Sequence, residues 1–262
     1  MSSKPTCLLT GATGGIGKAI AMQLAQHGYT LMLQGRDLAA LKALNDELTG
    51  QHHILIGDIN EKAARQDIIN QAFTLRNPTI LINNAGVSAF KHFTSMQDAD
   101  IDNILVTNLV STMQLTRLFL SRVDKSNAQI INVGSVLGAI GFPGYASYCA
   151  SKFGLKGFTE ALQRELVHTG TQVRYFAPRA TNTSINSSDA KTMNESLGTQ
   201  VDDPETVARE FIAFLHGNSV RYVVGWPEKF LVRLNGVLPE LVDKSIARQS
   251  KKILTFITGE QK

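Results

Sequence analysis

What the 262-residue chain has little of narrows its function first. Its two cysteines, Cys7 and Cys149, cannot build a disulfide framework and are not paired at metal-ligand spacing. The six histidines are scattered, so no metal site is indicated. No apolar run reaches the roughly 20 residues that cross a bilayer. Twenty-six basic against 22 acidic side chains leave a net charge of only +4, with Lys and Arg dispersed rather than gathered in a stripe, which argues against a nucleic-acid partner. Internal repeats, low-complexity tracts and linkers are missing too. The first apolar strand starts at Thr6, leaving no room before it for a signal peptide's apolar core. The expectation is a reduced, cytoplasmic protein, associated at most with a membrane surface.

What is present is an alternation of short apolar strands with amphipathic helical stretches. With 43% hydrophobic residues the chain can bury a full core, and the alternation argues for one α/β domain. The strand Cys7 to Leu9 runs into TGATGGIG, which begins at Thr10, and then into the helical pattern IGKAIAMQLAQHG. Gly11, Gly15 and Gly17 permit a tight turn, close approach of a pyrophosphate and close helix-on-strand packing. Together with Thr13, Gly14 and Ile16 they form a candidate phosphate-binding turn, with the free N–H groups of a helix start aimed at the phosphates.

The second strand, Thr30 to Gln34, ends in Gly35-Arg36-Asp37. An acidic residue at the strand tip would bind ribose hydroxyls and repel a 2′-phosphate. Gly35 stands there instead, followed by Arg36, whose planar fork suits phosphate and points to NADP(H) rather than NAD(H). Asp37 is the competing residue. It sits where a ribose-binding acid is expected, and it could equally be the N-cap of DLAALKALNDEL.

Further along, the strand Gln129 to Val133 leads to Ser135, and Tyr148 lies four residues before Lys152 on one helical face. A cation beside a phenol favours the phenolate, so this pair is an acid/base device, and Ser135 would emerge at the ligand-binding end of a strand. Tyr-x-x-x-Lys occurs in many helices. Its combination with the glycine turn, Ser135 and Asn83-Asn84-Ala85-Gly86 is specific.

From Thr6 to Val224 the chain resembles the single-domain members of the short-chain dehydrogenase/reductase family, including 3-oxoacyl-acyl-carrier-protein reductases and related carbonyl reductases. The resemblance implies a doubly wound parallel sheet of Rossmann type. It implies Tyr148 as general acid/base, Lys152 as the nicotinamide-ribose ligand and Ser135 as the group that orients a substrate carbonyl. Asn108, in ILVTNLVST within a helix expected from Asp102 to Ser121, matches the family's fourth catalytic position and would hold a water linking Lys152 to solvent. By the same resemblance Asp58 and Ile59 lie at the adenine edge. Asn84, Ala85 and Gly86 pass close to the cofactor, with bracing of the sheet as the other reading. Asp58 could instead cap the helix starting near Glu61. Pro178, Thr181 and Thr183 match positions that contact nicotinamide and phosphates. Family members pair through two helices, so a homo-oligomer is expected. The implied activity is NADPH-dependent reduction of a ketone or aldehyde, lipophilic or 3-oxoacyl, on a small-molecule carbonyl or alcohol substrate. An NAD-dependent alcohol or hydroxysteroid dehydrogenase and a non-catalytic cofactor-binding scaffold are the alternatives.

One departure is Pro178-Arg179, where most relatives have Pro-Gly. Arg179 is expected to reach an anionic substrate group or the surface. Tyr145 could line the pocket or pack, and Cys149 is read as core. Residues 1–226 are expected to form the catalytic domain, with a mobile lid at about 184–203. Residues 227–262 read as an amphipathic helical extension, interrupted near Gly236 and Pro239, that forms a hydrophobic entrance, touches a membrane or an acyl carrier, or packs on its own or a partner subunit.

Overall fold

A computed structural model describes residues 5–258. The elements, in order, are β1 (Thr6–Leu9), α1 (Gly15–Gln26), β2 (Thr30–Gly35), α2 (Leu38–Glu47), β3 (His53–Ile56), α3 (Lys62–Leu75), β4 (Ile80–Asn83), α4 (Asp98–Leu105) and α5 (Ser111–Leu120). They continue with β5 (Gln129–Val133), α6 (Ala146–Glu165), β6 (Gln172–Ala177), α7 (Ser188–Ser196), α8 (Pro204–His216), β7 (Arg221–Val223), α9 (Glu228–Val237) and α10 (Pro239–Thr258). All strand pairings are parallel, in the order β3-β2-β1-β4-β5-β6-β7.

The strands are apolar on both faces because both faces are covered. Alternate residues point to opposite sides. Cys7, Leu9, Leu31, Leu33, Ile80 and Ile82 pack with residues of α1, α2 and α8. Leu8, Met32, Leu55, Leu81, Ile130 and Val173 pack with residues of α3 and α5 on the other side. Each buried Leu or Ile contributes about 1.5–3 kcal/mol. Strand order reverses between the neighbours β1 and β4, and the crevice at their C-terminal ends is where such sheets bind ligands.

One expectation needs correction. The helix expected from Asp102 to Ser121 starts earlier, at Asp98, where Gln97 and Asp100 form a capping box, and it is broken by a π-turn, Val106–Val110, that holds Asn108. The polar stretch at about 184–203 contains α7, capped by Ser187, with Ala190 and Met193 buried. The extension forms α9 and α10. Helix α9 buries none of its side chains fully, whereas α10 sinks Val242 and Ile253. No helix among the described residues is long and apolar enough to cross a membrane.

Candidate active site

The glycine turn leaves β1 with Gly11 at φ +61°, and a Cβ there would lie 2.8 Å from the Ala85 Cα. A Cβ on Gly15 would lie 2.6 Å from the Thr183 Cγ2, so the turn and the segment after β6 close on one another because both are small. Asn84 braces this arrangement: its Nδ2 donates to the carbonyls of Thr10 and Gly11, both at 3.1 Å. The backbone N–H groups of Asn84 and Ala85 donate to the Thr10 Oγ1 at 3.0 Å. Helix α1 starts with Gly14 as an N-cap that has no side chain to satisfy the first N–H groups. Beside it the Thr183 Oγ1 is buried with no hydrogen-bond partner. A glycine-lined cradle, uncapped helical N–H groups and an orphaned hydroxyl fit the phosphates of a dinucleotide.

At the strand tip, Arg36 is exposed and its Nη1 lies 3.6 Å from the Asp58 Oδ2. Asp37 is the N-cap of α2, its Oδ1 accepting from the Ala40 N–H at 3.0 Å. Asp58 does not cap α3, whose N-cap is Glu61; its Oδ1 accepts from the Asn60 N–H at 2.9 Å instead. Ile59 is not at the surface of this edge, because its side chain is buried among residues of α3 and α5 and its carbonyl accepts from Arg65.

Ser135, Tyr148 and Lys152 are brought together at the C-terminal end of β5. The Ser135 Oγ accepts from the Leu137 N–H at 3.1 Å, leaving its own hydrogen available. The Lys152 Nζ donates to the Val133 carbonyl at 3.0 Å and lies 5.7 Å from the centroid of the Tyr148 ring. Burial brings the Lys152 ammonium down to about 8. Burial also pushes the Tyr148 phenol up to about 12, with Ser135 acting in the opposite direction. Among the protein's own groups, desolvation is the largest influence on this phenol.

Asn108 is almost fully buried, and its side chain is a strut. Its Oδ1 accepts from the Val87 N–H at 2.8 Å, and its Nδ2 donates to the Val87 carbonyl at 2.9 Å and the Ser151 Oγ at 3.0 Å. A Cβ on Gly86 would lie 3.2 Å from the Asn108 Oδ1 and 3.7 Å from the Lys152 Nζ, so these groups converge on Gly86. The side chain is committed to these partners.

Sequence reasoning missed two supports. The Asn60 Nδ2 donates to the Thr107 Oγ1 at 2.8 Å while its Oδ1 accepts from the Ser111 Oγ at 3.0 Å, clamping the π-turn from outside. Tyr175, on β6, accepts from the Ser135 N–H and donates to the Ser135 carbonyl, both at 3.3 Å, in a space that a Cβ on Gly134 would fill. Only the small residue before Ser135 could have hinted at the second.

Arg179 reaches neither the surface nor an open substrate group. Its side chain is 8% exposed and grips both carboxylate oxygens of Asp202, at 2.7 and 2.8 Å. It also pairs with Glu228 at 3.1 Å and donates to the Trp226 carbonyl at 3.0 Å. Thr181, two residues on, donates to the Arg179 carbonyl at 3.0 Å and forms a bridge with Asp202, and Pro178 accepts from the Val136 N–H at 3.0 Å. Tyr145 is buried, stacks on Phe90 with centroids 5.0 Å apart and meets Tyr148 edge-on at 6.1 Å. Cys149 is buried in the same apolar cluster. No group of three or more His, Cys, Asp or Glu side chains among the described residues could hold a metal.

A parallel doubly wound sheet with a dinucleotide cradle beside a Tyr-Lys-Ser cluster defines a nicotinamide-dependent oxidoreductase. The short chain dehydrogenase family model matches residues 5–194, and the chain belongs to the short-chain dehydrogenase/reductase family. It is 32% identical over 226 residues to a 3-oxoacyl-acyl-carrier-protein reductase, FabG, of Rickettsia typhi, covering 84% of this chain and 92% of that one. It is 33% identical over 214 residues to carbonyl reductase family member 4 of Xenopus tropicalis, covering 80% and 90%. A short-chain dehydrogenase from Streptomyces avermitilis superposes with a TM-score of 0.81 at 21% identity, covering 95% of this chain and 99% of that one.

Proposed function

We propose that the protein is an NADPH-dependent reductase of ketones or aldehydes, with Tyr148 as general acid. The observation that carries this reading is the convergence of Tyr148, Lys152 and Ser135 beside the cradle at the sheet's switch point. The nicotinamide would supply the hydride. Glycines 11, 14, 15 and 17, with Thr13, Ile16, Ala85, Gly86 and Thr183, would hold the cofactor's phosphates and nicotinamide end. Arg36 would hold the 2′-phosphate, while Asp37 gives one carboxylate oxygen to its helix cap. Lys152 keeps two N–H bonds beyond the one given to Val133, enough for a ribose diol.

A phenol near 12 stays protonated at neutral pH, which suits donation to a developing alkoxide and hence reduction. The free hydrogen of Ser135 would bond the same oxygen, a contact that strengthens as charge develops. Positioning is supported from below by Tyr175 and from the side by Asn108 and Ser151.

The Rickettsia relative is named for 3-oxoacyl groups on acyl-carrier protein, which makes such esters part of any substrate panel. Exposed Val110, Met113 and Phe153, near and on α5 and α6, support a homo-oligomer formed through those helices.

The test is turnover of a carbonyl panel with NADPH and NADH. Tyr148→Phe should bind NADPH with a Kd close to wild type and lose about 100-fold or more in kcat. Near wild-type turnover by this variant would remove Tyr148 from the mechanism.

A further inference from the structure

Helix α9 is fastened to the fold by one side and bare on the other. Glu228 pairs with the buried Arg179 guanidinium at 3.1 Å, and Asn235 donates to the Ala139 carbonyl at 2.8 Å, so these two residues mark the inward side. Phe230, Arg233 and Val237 fall at i, i+3 and i+7 on the side away from them, and all three are exposed. Val237 is 76% exposed, and the exposed Leu238 and Leu241 carry the apolar surface across the turn into α10. Trp226, just before α9, is 64% exposed and is the chain's single tryptophan. Apolar side chains exposed singly need no explanation, but this run of bulky ones along one edge does.

Helix α10 shows the same division, with charge on its bare side. Val242 and Ile253 are buried. Leu241, Lys244, Arg248 and Lys251, at i, i+3, i+7 and i+10, form the opposite and exposed face. The two helices hold six basic and three acidic residues, and one of the acids, Glu228, is turned inward onto Arg179. Among the described residues, Arg233, Lys244, Arg248 and Lys251 form no ion pair. Unneutralised cations therefore stand beside an uncovered apolar ridge.

We propose that the outer faces of α9 and α10 form a docking surface for an anionic phospholipid membrane. Trp226, Phe230, Val237, Leu238 and Leu241 enter the interface, and the four cations meet the headgroups. The inference is independent of the reductase reading. A second copy of the chain fits this face poorly, because a two-fold interface would set the same unpaired cations against one another. An acidic soluble protein would answer the cations, whereas the apolar ridge and its tryptophan suit the boundary between headgroups and acyl chains. No helix among the described residues is long and apolar enough to cross a bilayer, so the contact is with its surface. Each cation near an anionic leaflet strengthens partitioning by about fivefold, less as salt screens it.

The full chain carries its own reporter in Trp226. At about 0.1 M salt, wild-type protein should sediment with phosphatidylcholine vesicles containing about 30% phosphatidylserine, and its tryptophan emission should shift to the blue. Pure phosphatidylcholine vesicles should bind it at least about tenfold more weakly, and about 0.5 M salt should release it. Lys244→Glu should weaken binding by about tenfold, whereas Lys42→Glu, an exposed charge reversal on α2, should change it by no more than about twofold. Phe230→Ser combined with Val237→Ser, both at exposed positions, should abolish sedimentation and the blue shift together. No sedimentation of wild-type protein with the phosphatidylserine vesicles refutes the membrane surface. Equal weakening by Lys244→Glu and Lys42→Glu refutes it too, since bulk charge would then be the cause. A blue shift that grows with protein concentration in the absence of vesicles, and is lost with Phe230→Ser and Val237→Ser, assigns the face to a second copy instead.

Discussion

Around the glycine turn, the contacts that shape the site run through the backbone: Asn84 onto two carbonyls, glycines against Ala85 and Thr183, a helix start left uncapped. Around Tyr148 and beyond β6 they run through side chains drawn from five separate stretches, including α7 and α10. The first construction tolerates few residue types, since an added Cβ collides with backbone or with a neighbour that cannot yield. The second can be solved by many combinations of apolar residues of suitable volume. One half therefore announces itself as a spaced motif, and the other half leaves its residue types freer.

The sharpest way to break this comparison is Arg179, a single polar residue on which the substrate half depends. Its guanidinium joins the end of β6 to Asp202 and to Glu228 at the start of α9, and all three side chains are largely buried. Removing one partner of a buried ion pair leaves charge without compensation, at a cost of about 3–5 kcal/mol. Arg179→Met should show that loss in urea unfolding, with hydrogen exchange accelerated first in α9. NADPH affinity measured on folded protein should fall less than substrate affinity. Equal losses of both would show that the two halves are mechanically one.

How much of this was legible beforehand follows from the same distinction. The strands and an α/β domain followed from apolar periodicity, which local sequence carries, whereas the doubly wound parallel sheet and the joint roles of Ser135, Tyr148 and Lys152 came through the family resemblance that their motifs carry. Arg179 was misread because its partners lie 23 and 49 residues away, and no local pattern marks a pairing at that distance. The π-turn around Asn108 was invisible for a related reason: Asn60 and Val87 hold it from other segments. Ile59 was placed beside Asp58 by resemblance, and its side chain is buried in the core with residues of α3 and α5.

Lys152 sharpens the comparison because burial acts on it from both halves. Its folded value, about 8, lies below the ordinary lysine range, so from about pH 8 to about 10.4 the unfolded chain holds a proton that the folded chain has released. The unfolded state binds more protons in that window, so wild-type stability gains with rising pH there, and the full burial cost is present below it. Lys152→Met lacks this titration. Its stability relative to wild type should be most favourable near pH 7 and decline as pH rises from 8 to 10, as chemical denaturation at several pH values will read. In the wild type, kcat/KM for reduction should fall above about pH 8 as the ammonium is lost. A flat relative stability across the window would mean that Lys152 remains charged throughout.

The smallest expected effect tests the cofactor half. The Asp37 carboxylate accepts from the Ala40 N–H at 3.0 Å, and loss of such a cap costs about 1 kcal/mol. Asp37→Ala should lower stability by about that amount, and Asp37→Ser, which can still cap, should restore most of it. Neither should change the ratio of NADPH to NADH dissociation constants under the proposed assignment of Arg36 to the 2′-phosphate. Arg36→Asp should move that ratio toward NADH by replacing attraction with repulsion at one point. A ratio that shifts with Asp37→Ala and not with Arg36→Asp would transfer cofactor choice to Asp37 and make its cap a secondary role, so that even this backbone-built half would depend on a side chain that the motif leaves ambiguous.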